Sequence, residues 1–257
     1  MQGTKRAGTV LALVITAWGL AAALPARAIM LVTRADEVRI GKQVEAESIK
    51  QYGLSNDAPL AERVRKVGAA VAAASPRKDV TYTYKVLHSN EINAFSAPGG
   101  PVMITDRLAR MLSTDDELAF VLGHETGHIA AEHGRKAINQ ALIAQGIASI
   151  LFRNAGQLES AGVNIMYTLY DRGYSRDQEY QADSYGVQLI TKAGYKPEGA
   201  VTALAKLGLD QTKGVNKYFA THPDTPDRIH RVAQMGGVSK QREQELIQQV
   251  KSRSAPK

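Results

Sequence analysis

Apolar residues recur at helical spacing over most of this 257-residue chain. Asp36 opens an amphipathic stretch that runs to about Tyr52 and is stopped by Gly53. Pro59, which suits a first helical turn, opens a second stretch that runs to about Ala74. We therefore predict two helices near the start of the chain and assign them a scaffolding role.

One region alternates apolar and polar residues in the manner of β-strands. Residues 80–87 (VTYTYKVL), 92–96 (INAFS) and 102–105 form three such runs, and the PGGP sequence at 98–101 turns the chain between the last two. Helical spacing resumes near Asp106 and dominates the rest of the chain. The pattern predicts an α+β protein that is mainly helical, with a small, largely antiparallel sheet.

A helix with a clear beginning carries two histidines among apolar residues. Thr114, followed three positions later by Glu117, predicts a capping box, and Gly134 is a natural stop about five turns on. His124 and His128 are four residues apart, so both side chains lie on one helical face. Because the surrounding residues are apolar, we expect this helix to be buried and its polar groups to have partners.

The segment HETGH has the HExxH pattern of zinc peptidases. In this pattern the imidazoles of His124 and His128 bind zinc, and Glu125 polarises the attacking water. The alternative is a pair of core histidines with satisfied hydrogen bonds. His133 is nine residues beyond His124, about 180° around a continuous helix, so we expect it to face elsewhere, as a surface or helix-end histidine.

A second polar helix could supply a third ligand. Ser175 and Gln178 form another predicted capping box, and Gly194 ends the periodic stretch. Glu179 and Asp183 lie one turn apart on a shared face. Glu179 can supply a zinc ligand and Asp183 can orient a histidine through its distal N–H. The alternative is an ordinary acidic face in contact with solvent.

The first 28 residues have the composition of a signal peptide. Lys5 and Arg6 form a basic start, residues 10–24 are apolar, and Ala-Arg-Ala at 26–28 fits a cleavage site, which predicts a mature start at Ile29 and a periplasmic location. The alternative is an uncleaved anchor, but 15 residues at about 1.5 Å each are shorter than a bilayer core of roughly 30 Å. The chain has no cysteine, which excludes a lipid-modified cysteine and agrees with an oxidising compartment.

Composition excludes some other classes of protein. With 44% hydrophobic and 22% charged residues, the chain has a globular composition. Without the three cations of residues 1–28, the net charge falls from +7 to +4, and no basic run with interleaved aromatics is present, so nucleic acid is not an expected partner. Residues 138–152 are interrupted by polar side chains, so we expect no transmembrane span in the mature chain, which leaves peripheral membrane contact open.

Three segments in order resemble the signature blocks of a known family. HETGH (124–128), SRDQEYQAD (175–183) and NAFSAPGG (93–100) are similar to those of the CAAX prenyl protease and HtpX-type heat-shock protease family of zinc metallopeptidases, especially its exported bacterial branch. The resemblance implies a gluzincin (zincin-like) fold, one Zn²⁺ per chain and endopeptidase activity. On this basis we expect a peptidase domain over 29–237, followed by a C-terminal helix and frayed tail over 238–257.

The resemblance also implies roles for individual residues. It implies that His124, His128 and Glu179 are the zinc ligands, that Glu125 is the general base and that Asp183 is the acidic residue often described as a proton donor. The barrel-assembly protease of the exported branch has a helical repeat domain after its protease domain. About 20 residues follow Gly237 here, with no repeat, so we expect any docking role of that domain to be absent.

The NAFS segment suits the binding of an extended substrate. An edge strand that faces the active-site cleft could pair with a polypeptide through its backbone. We therefore expect Asn93, Ala94, Phe95 and Ser96 to bind substrate; the alternative is a plain hairpin strand.

A His-Pro element with a downstream arginine, similar to one in the family, lies in THPDTPDRIHRV (221–232). Pro223 restricts His222 to an extended backbone. We expect His222 and Arg228 to be near the cleft, and His222 to contact the oxyanion or to occupy the open zinc position in a resting state. A structural histidine that caps the next helix is the alternative.

Together these features predict a zinc metalloendopeptidase. Its expected substrates are unfolded or misassembled envelope or outer-membrane proteins, which implies a role in protein quality control. Two alternatives lack catalysis. One is a zinc-dependent chaperone that holds unfolded strands in the same groove, and the other is a cell-envelope binding or assembly factor with a vestigial metal site.

Overall fold

The structure is a computed structural model, and it describes residues 30–144, 155–209, 216–218, 222 and 227–254. The predicted signal peptide and residues 145–152 of the interrupted apolar stretch lie outside the described residues. The helices are α1 (Arg34–Tyr52), α2 (Ala58–Ala74), α3 (Asp106–Met111), α4 (Asp115–Ala130), α5 (His133–Ala144), α6 (Ala155–Arg172), α7 (Arg176–Lys192), α8 (Glu198–Leu209), α9 (Arg228–Met235) and α10 (Lys240–Ser254). The strands are β1 (Thr83–Leu87), β2 (Ala94–Ser96) and β3 (Pro101–Thr105).

The first two helices begin and end at capping residues that the sequence supplies. Thr33 forms a capping box with Asp36 at the start of α1, and Gly53 ends it with a φ of 74°. Asp57 accepts a hydrogen bond from the backbone N–H of Leu60 at the start of α2. Both predicted helices are therefore present, within two residues of their expected bounds.

The three strands form one mixed sheet in the order β1-β3-β2. β2 and β3 are antiparallel, whereas β1 and β3 are parallel. The α+β class is confirmed, but the expected largely antiparallel pairing differs from this arrangement. After β1 the chain crosses to the opposite edge of the sheet, where it forms β2. The hairpin after β2 then places β3 in the middle of the sheet, parallel to β1.

Helix α4 is the centre of the fold, because every residue from Glu117 to Ile129 is buried. Its capping box at Thr114 is present as predicted. The helix ends at Ala130 and not at Gly134, because Glu132 adopts a left-handed backbone with a φ of 60°. The chain turns there, and α5 starts at His133.

A buried ion pair ties the N-terminal helix to the layer around α4. Arg77 donates two hydrogen bonds of 2.7 Å to Glu37 of α1, and a third to the carbonyl of Ile129 at the end of α4. Glu37 also accepts from the backbone N–H of Gly99 in the hairpin turn. Helix α1 is therefore connected to the sheet and to α4 by polar contacts as well as by packing.

The C-terminal helices complete the layer on the other side of α4. Helices α7 and α8 pack against α4, and α10 packs against α8 with Leu246 and Val250 buried. Within the described part of the chain, no helix is both long and apolar enough to span a bilayer.

Candidate metal centre

Two histidine side chains of α4 meet at the centre of the molecule. The Nε2 atoms of His124 and His128 are 3.1 Å apart, as expected for residues one turn apart on a shared face. Their residues are 0% and 1% exposed, respectively.

Small residues bring α7 close enough for its acidic side chains to reach these histidines. A Cβ added at Gly127 would lie 2.7 Å from the Cβ of Tyr185 and 3.0 Å from the carbonyl oxygen of Ala182. Gly123 and Gly186 form a similar close contact between the two helices. The glycines within and before HETGH therefore set the distance between α4 and α7 on which the site depends.

The carboxylate of Glu179 lies between the two imidazoles. Its oxygens are 3.5 Å from His124 Nε2 and 3.4 Å from His128 Nε2. His222 reaches the same point, with its Nδ1 atom 3.0 Å from Glu179 and 3.2 Å from His124 Nε2. One donor atom from each of the four residues lies within 4.8 Å of the others, and all four residues are buried.

Hydrogen bonds on the outer side of His124 fix its orientation. Its Nδ1–H donates to Asp183 Oδ1 at 2.9 Å. Arg228 binds the same carboxylate through two hydrogen bonds of 2.8 and 2.7 Å, and its third nitrogen is 3.1 Å from Glu179. Since the Nδ1 atom of His124 holds the proton, its Nε2 lone pair faces the cluster.

His128 is oriented by a chain of hydrogen bonds. His133 Nε2–H donates to Gln181 Oε1 at 2.9 Å, which leaves its Nδ1 to accept from His128 Nδ1–H at 2.8 Å. Burial lowers the pKa of His133, so the ring is neutral. The expectation that His133 faces elsewhere is wrong, because the break at Glu132 turns it back toward the cluster.

The donor set fits a zinc ion. Zinc bonds of about 2.0–2.1 Å in a tetrahedron separate neighbouring donor atoms by about 3.3–3.4 Å. The two histidine Nε2 atoms are 3.1 Å apart, and the Glu179 oxygen nearest to each lies 3.5 Å from His124 Nε2 (Oε2) and 3.4 Å from His128 Nε2 (Oε1). The lone pairs of the two histidines also face each other with no proton between them, an arrangement that a cation stabilises.

Glu125 lies beside this cluster on α4, where it is fully buried. Its Oε2 accepts a 3.0 Å hydrogen bond from the Ser96 hydroxyl, and its Oε1 is 3.2 Å from His222 Nε2. Burial raises the pKa of Glu125, but the neighbouring imidazoles, His222 above all, outweigh it and lower the pKa to about 2. The carboxylate is therefore ionised.

Charge at the cluster is balanced by close pairs. Burial raises the pKa of Glu179 and Asp183, but His222 and Arg228, respectively, outweigh it and hold both pKa values below the usual range. Burial lowers the pKa of His222, yet Glu179 and Glu125 raise it to about 10. Burial lowers the pKa of His128 to about 3, so this ring is neutral, as a metal ligand must be.

Strand β2 connects the sheet to this site. The backbone groups of Asn93 and Ala97 bond to β3, so those of Ala94 and Ser96 face away from it. The Ser96 carbonyl accepts a hydrogen bond of 2.9 Å from the Tyr170 hydroxyl of α6. Of the predicted substrate-binding residues, Ser96 thus contacts Glu125 and Tyr170.

Several residues of the site have no signal in the sequence pattern. Tyr174 stacks on His128 with ring centroids 3.9 Å apart, and Tyr218 stacks on His222 at 4.7 Å. His133 and Gln181 complete this second layer. His133 lies five residues after the last histidine of HETGH. This spacing would have predicted a contact with His128 only if the end of α4 at Ala130 had been known.

Comparisons with known proteins agree with this site. Residues 58–235, more than half of the chain, match the model of peptidase family M48. Mitochondrial metalloendopeptidase OMA1 of Arabidopsis thaliana is 32% identical over 171 residues, 66% of this chain and 35% of the relative.

Two bacterial relatives are similar at lower identity. Metalloprotease LoiP of Escherichia coli (strain K12) is 29% identical over 154 residues, 58% of this chain and 60% of the relative. Beta-barrel assembly-enhancing protease of Yersinia pestis is 27% identical over 186 residues, 67% of this chain and 38% of the relative. This chain therefore spans less than two thirds of each of the three relatives. The family match covers both helices that meet at the cluster, and with the three sequence blocks it shows that the chain belongs to peptidase family M48.

Proposed function

We propose that this protein is a zinc-dependent endopeptidase that hydrolyses peptide bonds of unfolded or misassembled polypeptides. The observation that carries the proposal is the convergence of His124, His128 and Glu179 on one point, with Glu125 beside them. These three residues would hold one Zn²⁺ per chain. Membership of a peptidase family supports the same reaction class.

A zinc ion bound there supplies Lewis acidity, which polarises the peptide carbonyl and makes water a stronger nucleophile near neutral pH. Glu125 accepts the proton of the attacking water, since it is ionised and its Oε1 atom, which pairs with His222 Nε2 at 3.2 Å, is released when that ring withdraws. The Ser96 hydroxyl holds the other oxygen and so orients the carboxylate. Glu125 then returns the proton to the leaving amine as the C–N bond breaks.

We assign a positioning role to Asp183 in place of proton donation. Its Oδ1 accepts from His124 and Arg228, its Oδ2 accepts from Arg228, and its lowered pKa keeps it ionised. It therefore has no proton to give. Arg228 donates two hydrogen bonds to Asp183 and forms an ion pair with Glu179, so we assign it the charge balance of the cluster and not the oxyanion.

His222 is proposed to occupy the open zinc position in a resting state. Its Nδ1 joins the donor atoms of the cluster, where zinc would replace the proton that Glu179 and Glu125 stabilise on the metal-free ring. Its Nε2 is 3.2 Å from Glu125, so the ring lies between the base and the ligands. Water and substrate need that position. His222 must therefore withdraw before hydrolysis.

The substrate is proposed to pair with β2. The outward-facing backbone groups of Ala94 and Ser96 can hydrogen-bond to an extended polypeptide with little regard to its side chains. Tyr170 bonds the Ser96 carbonyl, and the N–H groups of Lys217 and Tyr218 bond the carbonyl of Ile92. A substrate strand would have to replace the Tyr170 contact to pair along the full strand.

The proposed setting is the periplasm, with envelope or outer-membrane proteins as substrates. The predicted signal peptide supports export. The similarity to relatives named Beta-barrel assembly-enhancing protease supports this class of substrate. Peripheral contact with the membrane is compatible with this setting.

The test uses zinc-loaded chain, its Glu125→Gln variant and a Glu62→Gln control, which removes an exposed carboxylate on α2. Zinc content and cleavage of casein, an unfolded substrate, are measured. We expect Glu125→Gln to retain zinc and lose cleavage, while Glu62→Gln keeps both. Cleavage by Glu125→Gln at the parent rate would refute the assignment of the base. If the parent chain binds casein without cutting it, the result supports the chaperone alternative. If the parent chain is purified without zinc, the result supports the alternative of a binding factor with a vestigial metal site.

A further inference from the structure

A cavity of about 320 Å³ lies beside the proposed substrate strand. Asn93 and Phe95 of the strand region line it, together with side chains from α1 and α6. Residues two apart in a strand point to the same face, so Asn93 and Phe95 face the cavity while Ser96 faces Glu125. The cavity is therefore on the opposite face of the strand from the proposed base.

One residue belongs to both the cavity and the reaction site. The Tyr170 ring lies in the cavity wall with its centroid 5.0 Å from that of Phe95. Its hydroxyl donates to the Ser96 carbonyl, and the Ser96 hydroxyl donates to Glu125. Two hydrogen bonds thus separate the cavity from the base. Side chains alternate between the two faces of a strand, so a substrate strand on β2 would place every second side chain at the cavity.

Asn93, at the wall of the cavity, has a buried acceptor that lacks a donor. Asn93 is only 9% exposed, and its Oδ1 atom has no hydrogen-bond partner among the residues that the structure describes. An unpaired buried carbonyl oxygen is costly, and a ligand with N–H groups would satisfy it. This atom is enclosed, so the Asn93 side chain would have to turn toward the cavity before a ligand could donate to it.

The other walls favour a cation. Four aromatic rings line the cavity: Tyr52, Phe95, Tyr167 and Tyr170. The carboxylates of Glu91 and Asp171 also line it, whereas Lys217 contributes one positive charge, so the lining carries a net charge of −1. Burial raises the pKa of Tyr52, and both carboxylates raise it further, as expected from their closeness to its hydroxyl.

We propose that this cavity binds a basic side chain, arginine in preference to lysine, of a polypeptide paired with β2. A guanidinium group has five N–H donors and no acceptor, and it stacks on aromatic rings. It can therefore bond to the carboxylate of Glu91 or Asp171 while it lies against Tyr170. An apolar side chain would leave the negative charge of the lining without a counter-charge. This inference rests on the proposed endopeptidase function and names its substrate class.

The binding test uses the zinc-loaded full chain with Glu125→Gln, so that substrate is not consumed. Two fluorescent peptides differ at a single position, arginine or citrulline, which has nearly the same shape without the charge. Since one charged, partly exposed contact and one cation–π contact are involved, we expect the arginine peptide to bind about five- to tenfold more tightly.

The matched variants add Glu91→Gln with Asp171→Asn, or Glu62→Gln as a control outside the cavity. We expect the double substitution to remove the preference for arginine and the control to keep it. Equal affinities for the two peptides in the parent background, or a preference that survives the double substitution, would overturn the inference.

A cleavage map separates this inference from the proposed function. Sites cut in casein by the unmodified chain are identified by mass spectrometry. Enrichment of arginine and lysine at one fixed position relative to the cut bond supports the inference. Cleavage without that enrichment overturns it and leaves the endopeptidase function intact, whereas no cleavage of any unfolded substrate is a failure of the proposed function itself.

Discussion

Replacing His133 by alanine should weaken zinc binding although His133 is not itself a ligand. The substitution removes the acceptor of the 2.8 Å hydrogen bond from His128 Nδ1–H. That proton would then be left buried without a partner, and the ring could adopt the other tautomer, which directs a proton at the metal position.

The size of the effect follows from this single contact. Loss of an outer hydrogen-bond partner weakens metal affinity by about 10–100-fold, or about 1.4–2.8 kcal/mol. A buried donor left unsatisfied costs about 1–3 kcal/mol, which is the same range. We therefore expect the zinc dissociation constant of His133→Ala to rise by one to two orders of magnitude, about 10–100-fold.

The assay is competition for zinc against a fluorescent chelator, with the unfolding midpoint of each metal-free variant measured in parallel. His133→Asn should recover most of the affinity, because its Oδ1 atom can accept the same hydrogen bond. His230→Ala is the control, since His230 is half-exposed and pairs with Glu243 away from the cluster. An unchanged dissociation constant for His133→Ala would refute the tautomer argument.

Three further changes test other parts of the site. If the His222 ring is a resting-state ligand, His222→Ala should speed cleavage. It should also weaken zinc binding by about tenfold, or about 1.4 kcal/mol. Unchanged turnover together with unchanged zinc affinity would remove His222 from the site. Gly127→Ala should lower the free energy of unfolding by about 1–3 kcal/mol in urea titrations, because its Cβ would overlap Tyr185. Gly208→Ala is the control, because its added Cβ would meet no described atom within 4 Å, and we expect it not to lower the free energy of unfolding. Equal losses of unfolding free energy in the two variants would contradict the packing argument. Removing zinc with a chelator should lower the melting temperature, since zinc at 1,000 times its dissociation constant stabilises by about 4.1 kcal/mol; an unchanged melting temperature would contradict binding at the cluster.

Local signals in the sequence were sufficient to predict the helices that carry the candidate site. The capping boxes at Thr114 and Ser175 are present, because they depend only on residues three apart. The spacing of His124 and His128 fixes their shared face in the same way. The roles of the individual site residues stay predictions.

Features that depend on tertiary structure could not be predicted in this way. The order β1-β3-β2 arises from a crossover that no short pattern encodes. The position of His133 depends on one left-handed residue, Glu132, and a glutamate at that position does not predict a left-handed backbone as a glycine or asparagine would. The cavity beside Asn93 requires α1 and α6 to meet at the sheet, although they are distant in sequence.

The contact between Glu37 and Arg77 has a consequence for where the protein can be shortened. The family match begins at residue 58, after α1 has ended, yet Glu37 is the buried partner of Arg77. A fragment that starts at the matched boundary would leave a guanidinium in the interior with its main counter-charge removed. We therefore expect the folding unit to begin at α1, upstream of the segment by which relatives are recognised, and a fragment trimmed to residue 58 to be less stable although every proposed ligand is still present.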